Sequence, residues 1–410
     1  MTATNNGLSA SSSQPRLEQL PVELIDKIAV DLPLNDFTNF RLCSRLIADC
    51  TKPQLALAHF DGVPWRLDGQ RLHDLSLEPS CARRIRSVKF NMARMDEEEV
   101  DIAMESSLND EDLEARWGPY LETQGLFDGE IELPLDLVTP ALKRLPNLDS
   151  VSLTWTELPS LWKGHRDIDN ALNPETSIEL ADDEIYSTQQ SVLEALLQRN
   201  TPMKSLTIEP FMHTNVNIPP GLEANIPTVL GSVTQLHLGI NYSVPYFWPK
   251  RLDTFISFLP SLQDLSVCAL PREDPASDAD FFITKRLEHL EKLELSCIHI
   301  NFVNFANLIM NHSQTLKVVK LQTLSGWCDP FNAAELDWDM MFRLMRNRLE
   351  VLQEIQINGN FSDNVGWHQL FWREDMQWAT ELIRNWGEMS KPLEKYILEG
   401  GEYPRPRWSI

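Results

Sequence analysis

An apolar triplet with the spacing apolar-x-x-apolar-x-apolar recurs along the chain. It occurs eight times between residues 85 and 357. The copies are Ile85/Val88/Phe90, Leu148/Val151/Leu153, Met203/Leu206/Ile208, Val233/Leu236/Leu238, Leu262/Leu265/Val267, Leu290/Leu293/Leu295, Leu316/Val319/Leu321 and Leu352/Ile355/Ile357. Because side chains alternate across a β-strand, the last two apolar positions of each triplet predict a short strand with one buried face, and all three apolar side chains are expected to point into the interior.

Plausible helices lie between several triplets, at residues 191–200, 251–259, 302–311 and 336–349. From Leu206 onward the central triplet positions are 30, 29, 28, 26 and 36 residues apart. This period is close to that of leucine-rich repeats, and the triplets resemble the irregular members of that class. The resemblance implies an α/β fold in which strand-loop-helix repeats form a solenoid over residues 80–360.

The residue between the last two apolar positions of each triplet is expected on the outward side of its strand. Together these positions predict a mixed, nearly neutral row along a concave surface, which is a candidate site for a target protein. The row begins at Ser152, and its candidate substrate-binding residues are Thr207, His237, Ser266, Glu294, Lys320 and Gln356.

The stretch LPVELIDKIAVDLPLNDFTNFRLCSR, residues 20–45, has the pattern of two short amphipathic helices separated by Pro33. Asn35 and Asp36 are candidate N-caps of the second helix, and residues 54–60 are a candidate third segment. A unit of about 45 residues buries only a modest share of its surface. Its surplus of apolar side chains predicts a docking face, the alternative being a helical cap folded onto the rest of the chain.

The order of residues in this stretch resembles the F-box. Leu20-Pro21-x-Glu23-Leu24-x-x-x-Ile28 is followed by Leu32-Pro33-x-x-Asp36-Phe37-x-x-Phe40-Arg41-x-Cys43-Ser44-Arg45. The F-box is the adaptor-binding module of substrate receptors in cullin-RING (SCF-type) ubiquitin ligases. The resemblance implies an F-box at residues 16–60 that binds the adaptor subunit and, through it, the cullin. The residues it implies in docking are Leu20, Pro21, Glu23, Leu24, Ile28, Leu32, Phe37 and Phe40.

Two further segments are distinct in composition. Residues 95–116 contain ten acidic side chains from Asp96 to Glu114, and we expect a solvated insertion there or, alternatively, an electrostatic lure for a basic partner. Residues 361–410 are rich in tryptophan and are expected to cap the end of the repeats, although tryptophans also favour target contacts. These tryptophans are Trp367, Trp372, Trp378, Trp386 and Trp408.

Composition narrows the classes of function. The net charge of −24 disfavours nucleic acid and anionic membranes as partners. The first sixteen residues lack the apolar core of a signal peptide, so we expect a disordered N-terminus at 1–15 and a cytoplasmic or nuclear protein. The six cysteines are scattered without a C-x-x-C pair, which predicts neither disulfides nor a zinc site. Cys297 and His299 lie close in sequence but lack further ligands.

No catalytic motif is present, so we expect neither an enzyme nor a cofactor. Three classes of function stay open. The first is a substrate receptor of a ubiquitin ligase, which acts by bringing an unknown target protein near the ubiquitin carrier. The second is a leucine-rich-repeat interaction scaffold that is not linked to ubiquitination. The third is an enzyme with an unrecognised site, and no residue pattern in the sequence supports this class.

Overall fold

A computed structural model describes most of the chain. The described residues are 17, 20–32, 34–51, 58–64, 67–93, 133–155, 182–211, 218–240, 248–269, 283, 285–327, 337–363 and 390–404. Three segments with sequence-based predictions therefore lie outside them: the N-terminus at 1–15, the acidic residues 95–116, and the five tryptophans of the tail.

The described strands form one parallel sheet. They are β1 (His59–Gly62), β2 (Ser87–Asn91), β3 (Ser150–Thr154), β4 (Ser205–Phe211), β5 (Gln235–Ile240), β6 (Asp264–Ala269), β7 (Lys292–Ser296), β8 (His299–Asn301), β9 (Val318–Trp327) and β10 (Glu354–Asp363). Nine of these strands lie side by side in chain order, and β8 pairs with the C-terminal end of β9.

The apolar triplets account for this register. The central residues of successive triplets pair directly: Val88 with Val151, Val151 with Leu206, and so on to Val319 with Ile355. The prediction of a strand at each of the eight triplets is confirmed. The central side chains are buried in a continuous core, because the whole apolar row faces the same side of the sheet.

The described helices cover that side, except that the first three share a separate small interior. They are α1 (Val22–Asp31), α2 (Leu34–Leu42), α3 (Arg45–Cys50), α4 (Asp68–Leu77), α5 (Pro79–Ala82), α6 (Leu135–Arg144), α7 (Asp182–Arg199), α8 (Ile226–Val229), α9 (Trp248–Ile256), α10 (Phe302–Asn311) and α11 (Trp338–Arg348). A twelfth helix, α12, spans residues 390–399. The Asn301 side chain accepts from the first amides of α10, and Asp337 caps α11 in the same way.

The predicted architecture, a helical F-box bundle followed by a leucine-rich-repeat solenoid with a C-terminal cap, is wrong. The structure instead has a single open parallel sheet with scattered helices. Those helices range from 4 to 18 residues, and the described residues between β6 and β7 include none. β9 and β10 have 10 residues each, whereas β2 and β3 have 5. The triplets identify strands, but they carry no information on what connects them.

The N-terminal segment also differs in detail from the prediction. The second helix begins at Leu34, so Asn35 and Asp36 lie within its first turn, after the N-cap position. The third helix is Arg45–Cys50, which begins nine residues before the candidate third segment at 54–60. His59 and Phe60, the end of the candidate third segment at 54–60, belong to β1, where the Phe60 ring packs against Phe90 of β2 with centroids 5.8 Å apart; residues 54–57 lie outside the described residues.

The second face of the sheet is the one that positions the candidate site. In β2 and β3, buried residues alternate with half-buried ones, so one face meets the helices and the other remains accessible. Parallel sheets usually have both faces covered. We call the accessible side, defined by the row from Ser152 to Gln356, the open face.

Candidate functional site

The first candidate surface lies on α1, α2 and α3. Among the described residues, these helices share a small interior that contains Ile25, Ala29, Phe37 and Ile47 and is separate from the main core. Large apolar side chains nonetheless face solvent: Leu24 is 47% exposed, Ile28 is 37% exposed and Leu42 is 80% exposed. Leu24 and Ile28 lie one turn apart on α1, so they form a continuous apolar stripe.

The predicted adaptor-binding residues divide into three groups. Pro21, Glu23, Leu24 and Ile28 are exposed, whereas Leu20, Leu32 and Phe40 are half-buried. Phe37 is only 4% exposed, so in this structure it lies in the interior of the three helices. Its ring is needed inside the three helices, which have few other large side chains to exclude water.

Two arginines attach the three helices to the sheet. The Arg84 guanidinium forms an ion pair with Asp26 of α1 at 3.1 Å. Arg86, immediately before β2, donates to the Leu32 carbonyl oxygen at 2.9 Å. The apolar stripe is therefore held in one orientation relative to the sheet, with little conformational freedom left to lose on binding a partner.

The second candidate surface is the open face. The register places Ser152, Thr207 and His237 on adjacent strands, and the row continues from His237 to Ser266 and Glu294. Glu294 pairs with Lys320, and Lys320 with Gln356. All six predicted substrate-binding residues are half-buried neighbours in one line. The structure thus brings together the residues that the alternation singled out.

A shallow cavity of about 270 Å³ opens in the middle of this row. Lys292 lies in it with its Nζ 3.0 Å from Asp264 and 3.4 Å from Glu294. Burial alone would lower the pKa of Lys292, but its hydrogen bond and charge interaction with Asp264, followed by Glu294, raise it. The cavity therefore presents a fixed cation between two carboxylates. It is lined by Ser205, Gln235, Leu236, His237, Asp264, Ser266, Lys292 and Glu294.

Beside the cavity, three ligand-type side chains meet on β4, β5 and β6. Glu209, His237 and Cys268 place one donor atom each within 4.8 Å of the others. His237 Nε2 shares a hydrogen bond with Glu209 Oε1, and the Cys268 thiol lies 3.6 Å from the same oxygen. We call these residues the Glu-His-Cys group. Among the described residues, no other set of three or more His, Cys, Asp or Glu side chains has this proximity.

Local backbone features allow this approach. The register between β4 and β5 shifts between Ile208 and Phe211, and Glu209 lies in that irregularity. On β5, a Cβ atom at Gly239 would stand 3.0 Å from Glu209 Cβ and Cγ. A side chain at position 239 would therefore push Glu209 away from His237. The Thr154 hydroxyl, 3.4 Å away, donates to the second carboxylate oxygen of Glu209.

The electrostatics of the Glu-His-Cys group do not favour a nucleophile. Burial raises the pKa of the Cys268 thiol, and the adjacent Glu209 charge raises it further, so the thiol stays protonated. Burial would lower the pKa of His237, but the Glu209 hydrogen bond and the charges of Glu209, Glu294 and Asp264 raise it. Glu209 and Cys268 both approach Nε2, whereas a catalytic triad uses one imidazole nitrogen for each partner.

The alternation along the strands identifies His237, whereas no sequence pattern indicates Glu209 or Cys268. These residues are 28 and 31 positions from His237 in sequence, so no short motif connects them. Only the strand register brings them together. The expectation of no metal site rested on short ligand spacings, which cannot detect ligands on three different strands. Five cysteines, Cys268 among them, are free thiols, and Cys328 lies outside the described residues.

Comparison with known proteins adds no family. No protein-family model matches the chain, and no curated protein is significantly similar to it. Each helix in the described part of the chain is too short or too polar to cross a lipid bilayer.

Proposed function

We propose that this chain is a substrate-recognition subunit of a cullin-RING (SCF-type) ubiquitin ligase. The N-terminal helices dock on the adaptor subunit, and the open face holds an unknown target protein. The single observation that carries the proposal is the apolar stripe of Leu24 and Ile28, which is exposed in a segment whose residue order resembles the F-box. A cytoplasmic or nuclear location follows from this function.

The energetics of the stripe support docking. When a partner removes exposed apolar side chains from water, the free energy of the complex falls by about 25 cal/mol per Å² of apolar surface buried. Leu42, with 80% of its surface accessible, adds apolar area on the neighbouring helix. The ion pair of Arg84 with Asp26 fixes the helices to the sheet, so a docked adaptor would hold the open face at a defined position.

The open face supports target binding. Its row of half-buried residues presents hydroxyl, imidazole, carboxylate, ammonium and amide groups. Such a surface selects a partner by local hydrogen bonds and shape, because its charges nearly cancel. The receptor contributes no catalytic group in this mechanism. Tethering raises the effective concentration of target lysines near the ubiquitin carrier.

The test is co-purification of the full chain with the adaptor subunit. We expect Leu24→Ala with Ile28→Ala to weaken adaptor binding about tenfold or more, which corresponds to roughly 1.4 kcal/mol. Both side chains are exposed, so the change leaves the helical interior intact.

The matched control is Val303→Ala with Met310→Ala on α10. These side chains are also large, apolar and exposed, at 38% and 44%. The control should bind the adaptor like the wild-type chain. Wild-type binding retained by the α1 variant, or no adaptor bound by the unmodified chain, would refute the proposed docking.

A protein-interaction scaffold without a link to ubiquitination is the second candidate function. The open face favours it, since that surface is suited to a protein partner whether or not an adaptor docks. A chain that captures protein partners in cells but never co-purifies with the adaptor would establish this alternative.

A further inference from the structure

The Glu-His-Cys group has the donor set of a zinc site. A thiol, an imidazole and a carboxylate are the three side-chain types that bind Zn²⁺, and sites with three protein ligands leave a fourth position for water or another ligand. The thiol disfavours Mg²⁺ and Ca²⁺, which prefer oxygen ligands.

The two distances from the sulfur agree with a tetrahedral ion. Bonds of about 2.3 Å to sulfur and about 2.0 Å to nitrogen or oxygen place the sulfur about 3.5 Å from each other donor. Cys268 Sγ lies 3.6 Å from Glu209 Oε1 and 3.9 Å from His237 Nε2. The imidazole and carboxylate are closer together because they share a hydrogen bond, which an ion between them would replace.

The surroundings are also those of a ligand set. Glu209 is 8% exposed, and Thr154 holds its second oxygen, so the carboxylate has a fixed orientation. Gly239 supplies the space that Glu209 occupies. Three adjacent strands present one donor each, which limits relative movement of the donors. The His237 side chain is 35% exposed, so an ion can enter from the open face.

We propose that Glu209, His237 and Cys268 bind one Zn²⁺ ion on the open face. The site bridges β4, β5 and β6 beside the cavity. The proposal goes beyond receptor function and does not depend on adaptor docking, so the failure of either leaves the other standing.

The test is metal titration of the full chain after removal of metal with a chelator. We expect one equivalent of Zn²⁺ to bind in competition with a chromophoric chelator. Co²⁺ in its place should give the visible bands of a tetrahedral ion and a near-ultraviolet thiolate-to-cobalt band. Zn²⁺ should also raise the midpoint of thermal unfolding, because it binds only the folded site.

Variants assign the ligands. Cys268→Ser should abolish the thiolate-to-cobalt band, and Glu209→Gln and His237→Gln should each weaken Zn²⁺ binding at least about tenfold. Cys81→Ser, which changes a part-buried thiol on α5, is the matched control and should bind like the wild-type chain. Circular dichroism and thermal unfolding of each metal-free variant check the fold, and if one variant fails to fold, the other two decide.

The outcomes are distinct. Stoichiometric binding that the three ligand variants weaken and the control does not would establish the site. Absence of one-equivalent binding by the wild-type chain would show that Glu209 and His237 are only a hydrogen-bonded pair. Binding that survives in Cys268→Ser and His237→Gln would place the ion elsewhere, and either result overturns the proposal.

Discussion

At the scale of single residues, His312 shows how one buried imidazole connects two parts of the core. Its side chain is fully buried. Nε2 accepts from the Leu287 amide at 2.8 Å, and Nδ1 donates to the Leu308 carbonyl oxygen at 2.7 Å. The two bonds can form together only on the neutral ring protonated at Nδ1, because a protonated Nε2 cannot accept. The residue therefore joins the end of α10 to the segment before β7 only while it is uncharged.

This requirement makes His312 a source of pH-dependent stability. Burial lowers the pKa of His312, and the Arg286 charge adds to that effect against the opposing Leu308 hydrogen bond and Glu288 charge. The folded pKa thus lies below the unfolded value of about 6.5. As pH falls, the unfolded chain takes up this proton first, so the stabilising contribution is complete above about pH 6.5 and is lost below it.

We expect the free energy of unfolding to decline more steeply in the wild-type chain than in His312→Gln as pH falls from 7.5 to 5. Urea denaturation at a series of pH values measures both slopes. The other histidines are the same in both chains, so their contributions to the two slopes cancel in the comparison. Parallel slopes would contradict a neutral, buried His312.

The residue scale also shows what a pattern can and cannot predict. Phe37 matched the docking motif as well as Leu24 did. Phe37 is nevertheless buried among the three helices, whereas Leu24 is exposed to solvent. A helical period of 3.6 residues identifies an apolar face, but it does not say which side chains a short bundle keeps for its own interior. The proximity of Glu209 and Cys268 to His237 could not be predicted for a different reason, because only the strand register brings the three side chains together.

At the scale of elements, the strands were the most predictable part. The last two residues of each of the eight triplets lie in a strand, because period-two alternation over a buried face is a strong local signal. β1 and β8 have no triplet and only 4 and 3 residues, too few to show the alternation. Helix α10 has the predicted bounds 302–311, because Asn301 is a good N-cap before an amphipathic stretch. The other three predicted helices correspond to α7, α9 and α11, whose bounds differ from the prediction by one to nine residues.

Helix α12 closes part of the core near β10. Leu393 and Ile397 are each 2% exposed and belong to the main core. Glu394 accepts from the Ile357 amide of β10 at 2.8 Å, and Arg346 of α11 donates to the carbonyl oxygens of Leu398 and Glu399. The helix is thus bound to both the last strand and the last helix before it.

We expect Leu393→Ala to lower the free energy of unfolding by about 2–4 kcal/mol, because it leaves a cavity in this core. Leu398→Ala, on the same helix at 37% exposure, is the matched control and should cost less than about 1 kcal/mol. Urea unfolding measures both values. Equal effects of the two changes would show that α12 does not pack on the core as described.

At the scale of the whole molecule, the open face and the apolar stripe are separate surfaces with separate tests. We expect Glu294→Lys with Lys320→Glu to weaken target capture about tenfold, because the exchange rearranges the hydrogen-bonding row while preserving its net charge. Adaptor binding should be unchanged. Proximity labelling in cells, compared with the wild-type chain, measures the set of captured targets.

Deletion of residues 95–114 is the companion variant for this experiment. It removes the acidic segment and should change the captured set less than the paired exchange does. If the deletion loses the targets and the exchange keeps them, the acidic segment recruits the target and the open face does not.

The chain order of the sheet has a consequence for how the molecule folds. Paired strand positions are separated by 26 residues at Leu293–Val319 and by 63 residues at Val88–Val151. The entropy cost of loop closure grows only with the logarithm of length, so these extremes differ by about 0.8 kcal/mol. Topology alone therefore gives little preference to any one strand pair as the starting point. Side-chain packing at each pair, more than distance along the chain, must decide where folding begins.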